Sequence, residues 1–163
     1  MNKRIRKLTH GALIAALYIA LTFFAKLLGL DSGAIQIRFS EAICILPYFT
    51  PAAIPGVFIG CLLSNIVLGN ALWDIVFGSV ATLIGAYFAY LLRRRKWLVP
   101  IPTILSNALI IPFVLRYTYG IPGSIGYFML TVGAGEIISC GVIGMLLLIS
   151  LEKHRYTIFG TEE

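Results

Sequence analysis

Charge is what this sequence has least of. Only 12% of its 163 residues are Asp, Glu, Lys or Arg, about half the share of an ordinary soluble domain, which excludes a water-soluble globule. Histidine occurs twice, as His10 and His154, and both flank apolar runs. With no Cys/His ligand spacing, and no nucleophile set beside a base, a metal site and a hydrolytic triad have little to work with. Cys44, Cys61 and Cys140 are odd in number, lie in apolar stretches and form no CxxC, so they read as small buried apolar side chains. A glycine-rich phosphate loop ending in Lys-Ser/Thr is missing, and any ATP-driven step would fall to a partner. No internal repeat supports the inverted-repeat plan of secondary transporters. An enzyme is not expected.

Apolar residues fill the space that charge leaves: 59% of the chain is hydrophobic and mean hydropathy is +0.92. One domain over residues 1–163 is expected, an all-α integral membrane protein. A basic arm, Lys3, Arg4, Arg6 and Lys7, leads into an apolar run from about residue 11 to 30. A signal peptide begins in the same way, but this run reaches the ~20 residues of a spanning helix and no small-residue cleavage site follows. Asp31, Ser32 and Gly33 then open a polar loop. Hydrophobicity resumes over residues 42–68, where Pro47, Pro51 and Pro55 predict a turn near residues 50–55. Further spans are expected at residues 73–92, 98–115 and 124–151.

Thirteen basic residues outnumber seven acids, but they form no single patch of the kind that binds nucleic acid. Ten of the thirteen stand in three clusters: before the first run, at Arg93 to Lys96, and at Lys153 and Arg155. Positive clusters at span ends mark the cytoplasmic side, so an even number of spans must separate each pair. That parity requires residues 41–69 to form two helices and predicts a six-transmembrane-helix bundle with both termini cytoplasmic. The proline-broken second helix, near residues 41–50, is short for a ~30 Å hydrocarbon core; tilting, re-entry and enclosure by the bundle all fit.

Ionisable groups within a bilayer are expensive and call for a reason. Glu136 lies mid-helix, beyond snorkelling distance of water, and is the strongest candidate for a ligand contact. Glu41 and Asp74 stand at helix starts, where capping competes with ligand binding as their role. Arg38, Ser40, Asn65, Trp73 and Asn107 fall at similar depth and would complete an outward-facing pocket. For Asn65 and Asn107 an interhelical hydrogen bond fits as well, and for Trp73 a place in the interfacial aromatic belt. Carboxylates, amides and an aromatic ring suit a small, planar, donor-rich and cationic ligand. Along the first helix, small residues at 11/15, 12/16 and 16/20 form a strip for close approach, either within the bundle or by an external helix.

The stretch Gln36-Ile37-Arg38-Phe39-Ser40-Glu41-Ala42, followed by Leu46-Pro47, Ile54-Pro55-Gly56, Gly60 and Asn65, resembles the QueT family. That family comprises substrate-binding S components of energy-coupling factor importers, associated with queuosine precursors. The resemblance implies capture of 7-aminomethyl-7-deazaguanine from outside, with Arg38, Ser40 and Glu41 as the residues matched by motif. It also implies docking through Ala12, Ala16 and Ala20 on a membrane coupling subunit that carries two ATPases, ATP being used by those partners and no cofactor by this chain. The bacterial cytoplasmic membrane would be its location. Another vitamin or nucleobase as ligand, or a scaffold with no ligand, remain alternatives.

Overall fold

The computed structural model describes residues 3–30 and 36–159. All regular structure among them is helical, and the polar loop expected at Asp31, Ser32 and Gly33 lies outside them. The first helix, α1 (Lys3–Leu27), starts earlier than the apolar run does. Lys and Arg are good helix formers, so the basic arm forms its opening turns. The helix ends two residues before Gly29, whose φ of 69° is open to glycine at little cost.

The proline-broken second helix is present at Phe39–Tyr48, slightly earlier than expected, and it is a 3-10 helix. Pro47 lies inside it, and every residue from Ser40 to Pro47 is buried. At ~2.0 Å per residue it extends about 20 Å, less than the ~30 Å core of a bilayer. It is enclosed by the bundle, packing against α1, α2 (Ala53–Val67), α3 (Leu72–Leu91), the π-helical segment Ile137–Ile143 and α6 (Gly144–Glu152). The predicted turn narrows to residues 50–52, and Pro55 falls in the first turn of α2, where no backbone donor is required.

Next in the chain come α4 (Ile101–Tyr117) and α5 (Ile125–Glu136), the latter running through the π segment into α6. Four helical stretches are long and apolar enough to cross a membrane: Arg4–Leu27, Leu72–Leu91, Lys96–Tyr117 and Ile125–Glu152. The 3-10 helix and α2 are shorter apolar helices. Consecutive helices from α1 to α5 pack side by side. The arrangement is inverted relative to a soluble protein: Leu13, Phe88, Leu105 and Leu130 face outward, while Glu41, Asn65, Asp74, Asn107 and Glu136 are buried. A bilayer solvent accounts for both halves of that pattern.

Close packing of α1 on α2 depends on glycine. A Cβ at Gly60 would fall 2.6 Å from Tyr18 Cβ, and one at Gly56 would fall 2.8 Å from the Gly11 carbonyl oxygen. At one end of the bundle, Tyr48 Oη donates to Glu152 Oε1 at 2.9 Å and Lys96 Nζ stands 3.0 Å from Glu152 Oε2. There α7 (Arg155–Phe159) buries Phe159, which stacks on Phe49 at 4.8 Å and meets His10 edge-on at 6.1 Å. Residues from all three basic regions therefore converge at that end.

Gly60→Val is expected to destabilise the protein by roughly 1–3 kcal/mol through overpacking, read as a lowered melting temperature in detergent. Gly126→Ala in α5, where an added methyl meets nothing, is expected to melt at or above the wild-type temperature.

Candidate functional site

Three buried carboxylates and one arginine lie around the start of the 3-10 helix and the end of α5, and each acid is held differently. Glu136 closes α5 just where the helix widens into the π segment, a deviation common at functional sites. Its Oε1 accepts a 2.8 Å hydrogen bond from Asn107 Nδ2 on α4, whereas its Oε2 is buried with no partner. Asn107 is therefore an interhelical tie that also orients Glu136. Glu41, 1% exposed, has both oxygens engaged: Tyr18 Oη donates to Oε1 at 2.5 Å and Cys44 Sγ to Oε2 at 3.2 Å. Asp74 Oδ2 accepts from Tyr119 Oη at 2.9 Å. Neither Glu41 nor Asp74 makes a capping bond, although both lie in a first turn and so benefit from the helix dipole. Tyr119 itself belongs to the α4–α5 loop, where burial and then the Asp74 carboxylate push its phenol above the ordinary range, against a lowering bond from the Ala71 N–H. It is thus a protonated donor at neutral pH.

Arg38 has extended backbone, φ −112° and ψ 105°, and its N–H donates to Ser139 Oγ on the π segment at 3.1 Å. Arg38 also lines two small cavities. One, about 30 Å³, is lined by Tyr18, Ser40, Cys61 and Asn65 among others; the other, about 10 Å³, by Gln36, Ile111, Val132 and Glu136. Each has room for about one water molecule, so a larger ligand requires the site to open. Asp74 and Glu41 are the carboxylates whose fields reach Arg38 most strongly, but among the described residues no hydrogen bond or ion pair within 4 Å engages its guanidinium. Ser40 Oγ is also buried without a partner. Unmet buried polar atoms are uncommon enough to demand an explanation.

The remaining expected residues divide. Asn65 lines the larger cavity, its Oδ1 accepting from Asn70 Nδ2 at 3.0 Å, so it ties its own helix to the following turn and joins no other helix by that bond. Trp73 does not join the group. It is 57% exposed, stacks on Phe77 at 5.7 Å, and lines a separate apolar groove of about 660 Å³ with Phe113 and Tyr117. Successive helical residues point about 100° apart, and with Asp74 turned inward Trp73 is turned out. On α1 the small residues serve two faces: Gly11 and Ala15 meet α2, while Ala12, Ala16 and Ala20 are exposed. Tyr18, Cys44, Tyr119, Ser139 and Gln36 were missed as site residues. Tyr18 alone carried a signal, as the phenol opposite the Ala12/Ala16/Ala20 strip. Among the described residues no group of three His, Cys, Asp or Glu side chains is placed to hold a metal ion.

The segment ahead of Arg38 lies directly on α5. A Cβ at Gly135 would overlap the Gln36 carbonyl oxygen, so only glycine permits this contact next to Glu136.

The sequence model of a family described as "QueT transporter" matches residues 8–153. A protein of Lactococcus lactis subsp. cremoris, named "Queuosine precursor transporter QueT", is 35% identical over 85 residues, an alignment covering 52% of this chain and 49% of that protein. The chain thus spans about half the length of that curated relative. No solved structure matches.

Gly135→Ala is expected to lift residues 36–38 off α5 and lower stability by roughly 1–3 kcal/mol. Thermal melts beside Gly133→Ala, where a Cβ meets only Ala108 Cβ at 3.7 Å, check that the effect is local to this contact.

Proposed function

The chain belongs to the QueT transporter family, and on that premise we propose that it is the substrate-capture subunit of an importer for a queuosine precursor, 7-aminomethyl-7-deazaguanine. The observation that carries this reading is the pair of unmet groups in one buried site: the Glu136 Oε2 and the Arg38 guanidinium. A guanine-like edge offers adjacent N–H donors for a carboxylate and a keto oxygen for a guanidinium. Glu136 takes the first and Arg38 the second, with Ser40 available as a further hydroxyl. One arginine among Glu41, Asp74 and Glu136 leaves a formal surplus of negative charge, which suits a ligand with an ammonium arm. A ligand-free scaffold gives no reason for Glu136 Oε2 and Ser40 Oγ to be buried unpaired.

In this reading all six apolar helices count as spans, the two short ones included, and both termini face the cytoplasm. The convergence of the N-terminal, Arg93–Lys96 and C-terminal regions at one end of the bundle supports that parity. Ala12, Ala16 and Ala20 form the strip by which the protein docks on a membrane coupling subunit carrying two ATPases. ATP is consumed there, and the protein resides in the bacterial cytoplasmic membrane. Trp73, facing away from the site, serves in the aromatic belt and not as a ligand contact.

Equilibrium binding to purified protein in detergent, with guanine, riboflavin and thiamin as comparisons, tests the ligand. Selective binding of the deazaguanine without nucleotide is expected, and Glu136→Gln is expected to weaken it by ~1.5–3 kcal/mol, the scale of a charge-assisted hydrogen bond; equal affinity for all four compounds defeats the assignment. Ala16→Leu is expected to abolish cellular uptake while leaving binding intact, because bulk blocks close helix approach. For topology, a cysteine replacing Arg94 should react only from the cytoplasmic side and one replacing Ile121 only from outside; the reverse labelling would overturn the six-span reading with cytoplasmic termini.

A further inference from the structure

Resting on the reading above, we propose that Tyr18 is a positioning residue that keeps Glu41 away from Arg38 and so leaves the guanidinium free to recognise the ligand's keto oxygen. The local backbone favours the opposite outcome. Arg38 caps the 3-10 helix, and its carbonyl accepts the Glu41 N–H at 3.0 Å. In 3-10 geometry residues three apart lie over one another on one face, so Arg38 and Glu41 are natural partners for an ion pair. Glu41 is buried and Arg38 half-buried, and such a pair is stronger there than in open water. Yet no contact within 4 Å joins them.

What diverts Glu41 is visible on its two oxygens. Tyr18, 2% exposed on α1, donates to Oε1, and Cys44, one further 3-10 turn along, donates to Oε2. The Tyr18 hydroxyl is the stronger donor of the two, since a thiol donates weakly. Its placement is rigid, because Gly60 of α2 allows the α2 backbone to press against the Tyr18 Cβ. The Tyr18 ring also lines the same small cavity as Arg38 and Ser40. Glu41 thus acts as a fixed counter-charge at a distance, and the two groups left unmet are Arg38 and Glu136. Tyr18 touches no ligand in this scheme; it decides whether the ligand must compete with Glu41 for Arg38.

The test compares 7-aminomethyl-7-deazaguanine with its 6-thio analogue, which keeps the ring N–H donors and replaces the keto oxygen with a poor acceptor. Wild-type protein is expected to prefer the keto compound by roughly ten- to a hundred-fold, the scale of one charge-assisted bond. Tyr18→Phe keeps the ring but frees Glu41, which then pairs with Arg38, and the preference should collapse. In Tyr18→Phe/Glu41→Gln the freed carboxylate is gone, while Asp74 stays held by Tyr119 and Glu136 by Asn107, and the preference should return. A merely structural tyrosine would not be rescued by that second substitution. Retention of the preference in Tyr18→Phe, or no recovery in the double variant, overturns the inference. If wild-type protein binds neither compound, the parent reading has failed, and nitrogen NMR of the Arg38 side chain decides the present one in ligand-free protein. Slowed guanidinium rotation in Tyr18→Phe, relieved in the double variant, supports the diversion of Glu41; an unchanged Arg38 signal overturns it.

Discussion

Inside a hydrocarbon layer each backbone N–H and C=O must find its partner within the protein, and that constraint governs the centre of this fold. Residues 36–38 carry no regular structure and residues 39–48 are 3-10 helical, too irregular and too short to face lipid. They are viable because α1, α2, α3, the π segment and α6 surround them. Enclosure that tight needs backbone-to-backbone approach, which is why glycine stands at the points of contact: Gly135 under the Gln36 carbonyl, and Gly144 at 3.1 Å from the Ala42 carbonyl oxygen by its missing Cβ. The same wrapping carries Arg38, Ser40 and Glu41 into the interior, so the segment hardest to accommodate is also the one that brings chemistry inside.

Burying several charges would be prohibitive without compensation, and the compensation differs from acid to acid. Glu41 receives a phenol and a thiol, Asp74 a phenol from an adjoining loop, and Glu136 a single amide. Identical functional groups thereby acquire different availability. Glu41 has both oxygens bonded, Asp74 has one, and Glu136 retains a buried open acceptor beside a guanidinium that has no hydrogen-bond partner among the described residues. What distinguishes the three acids is that remainder and not their number.

Much of the framework was legible in the chain itself. The four long spans follow from run length, and the interrupted second helix from Pro47, Pro51 and Pro55. Glu136 stood out because no snorkelling side chain explains it, and it is the acid with an unmet oxygen. The facing of Trp73 was not legible: membrane helices are apolar around most of their circumference, and the amphipathic signal that separates inside from outside in a soluble helix is faint here. The donors to the acids were hidden for a different reason. Tyr18 meets Glu41 across 23 residues, Tyr119 meets Asp74 across 45, and the Arg38 amide meets Ser139 across 101; pairings of that range are properties of the packed bundle. Nor does composition announce a 3-10 or π helix, since both arise where packing overrides the α-helical repeat.

The three cysteines were read as small apolar fillers, and Cys44, Cys61 and Cys140 are all free and buried. For spectroscopy this leaves the native surface without a reactive sulfur, facing either water or lipid. A single cysteine introduced on an outward helix face becomes the sole handle for a spin label or fluorophore, and distances across the bundle become measurable without first stripping the natural thiols, one of which helps to hold Glu41 in place.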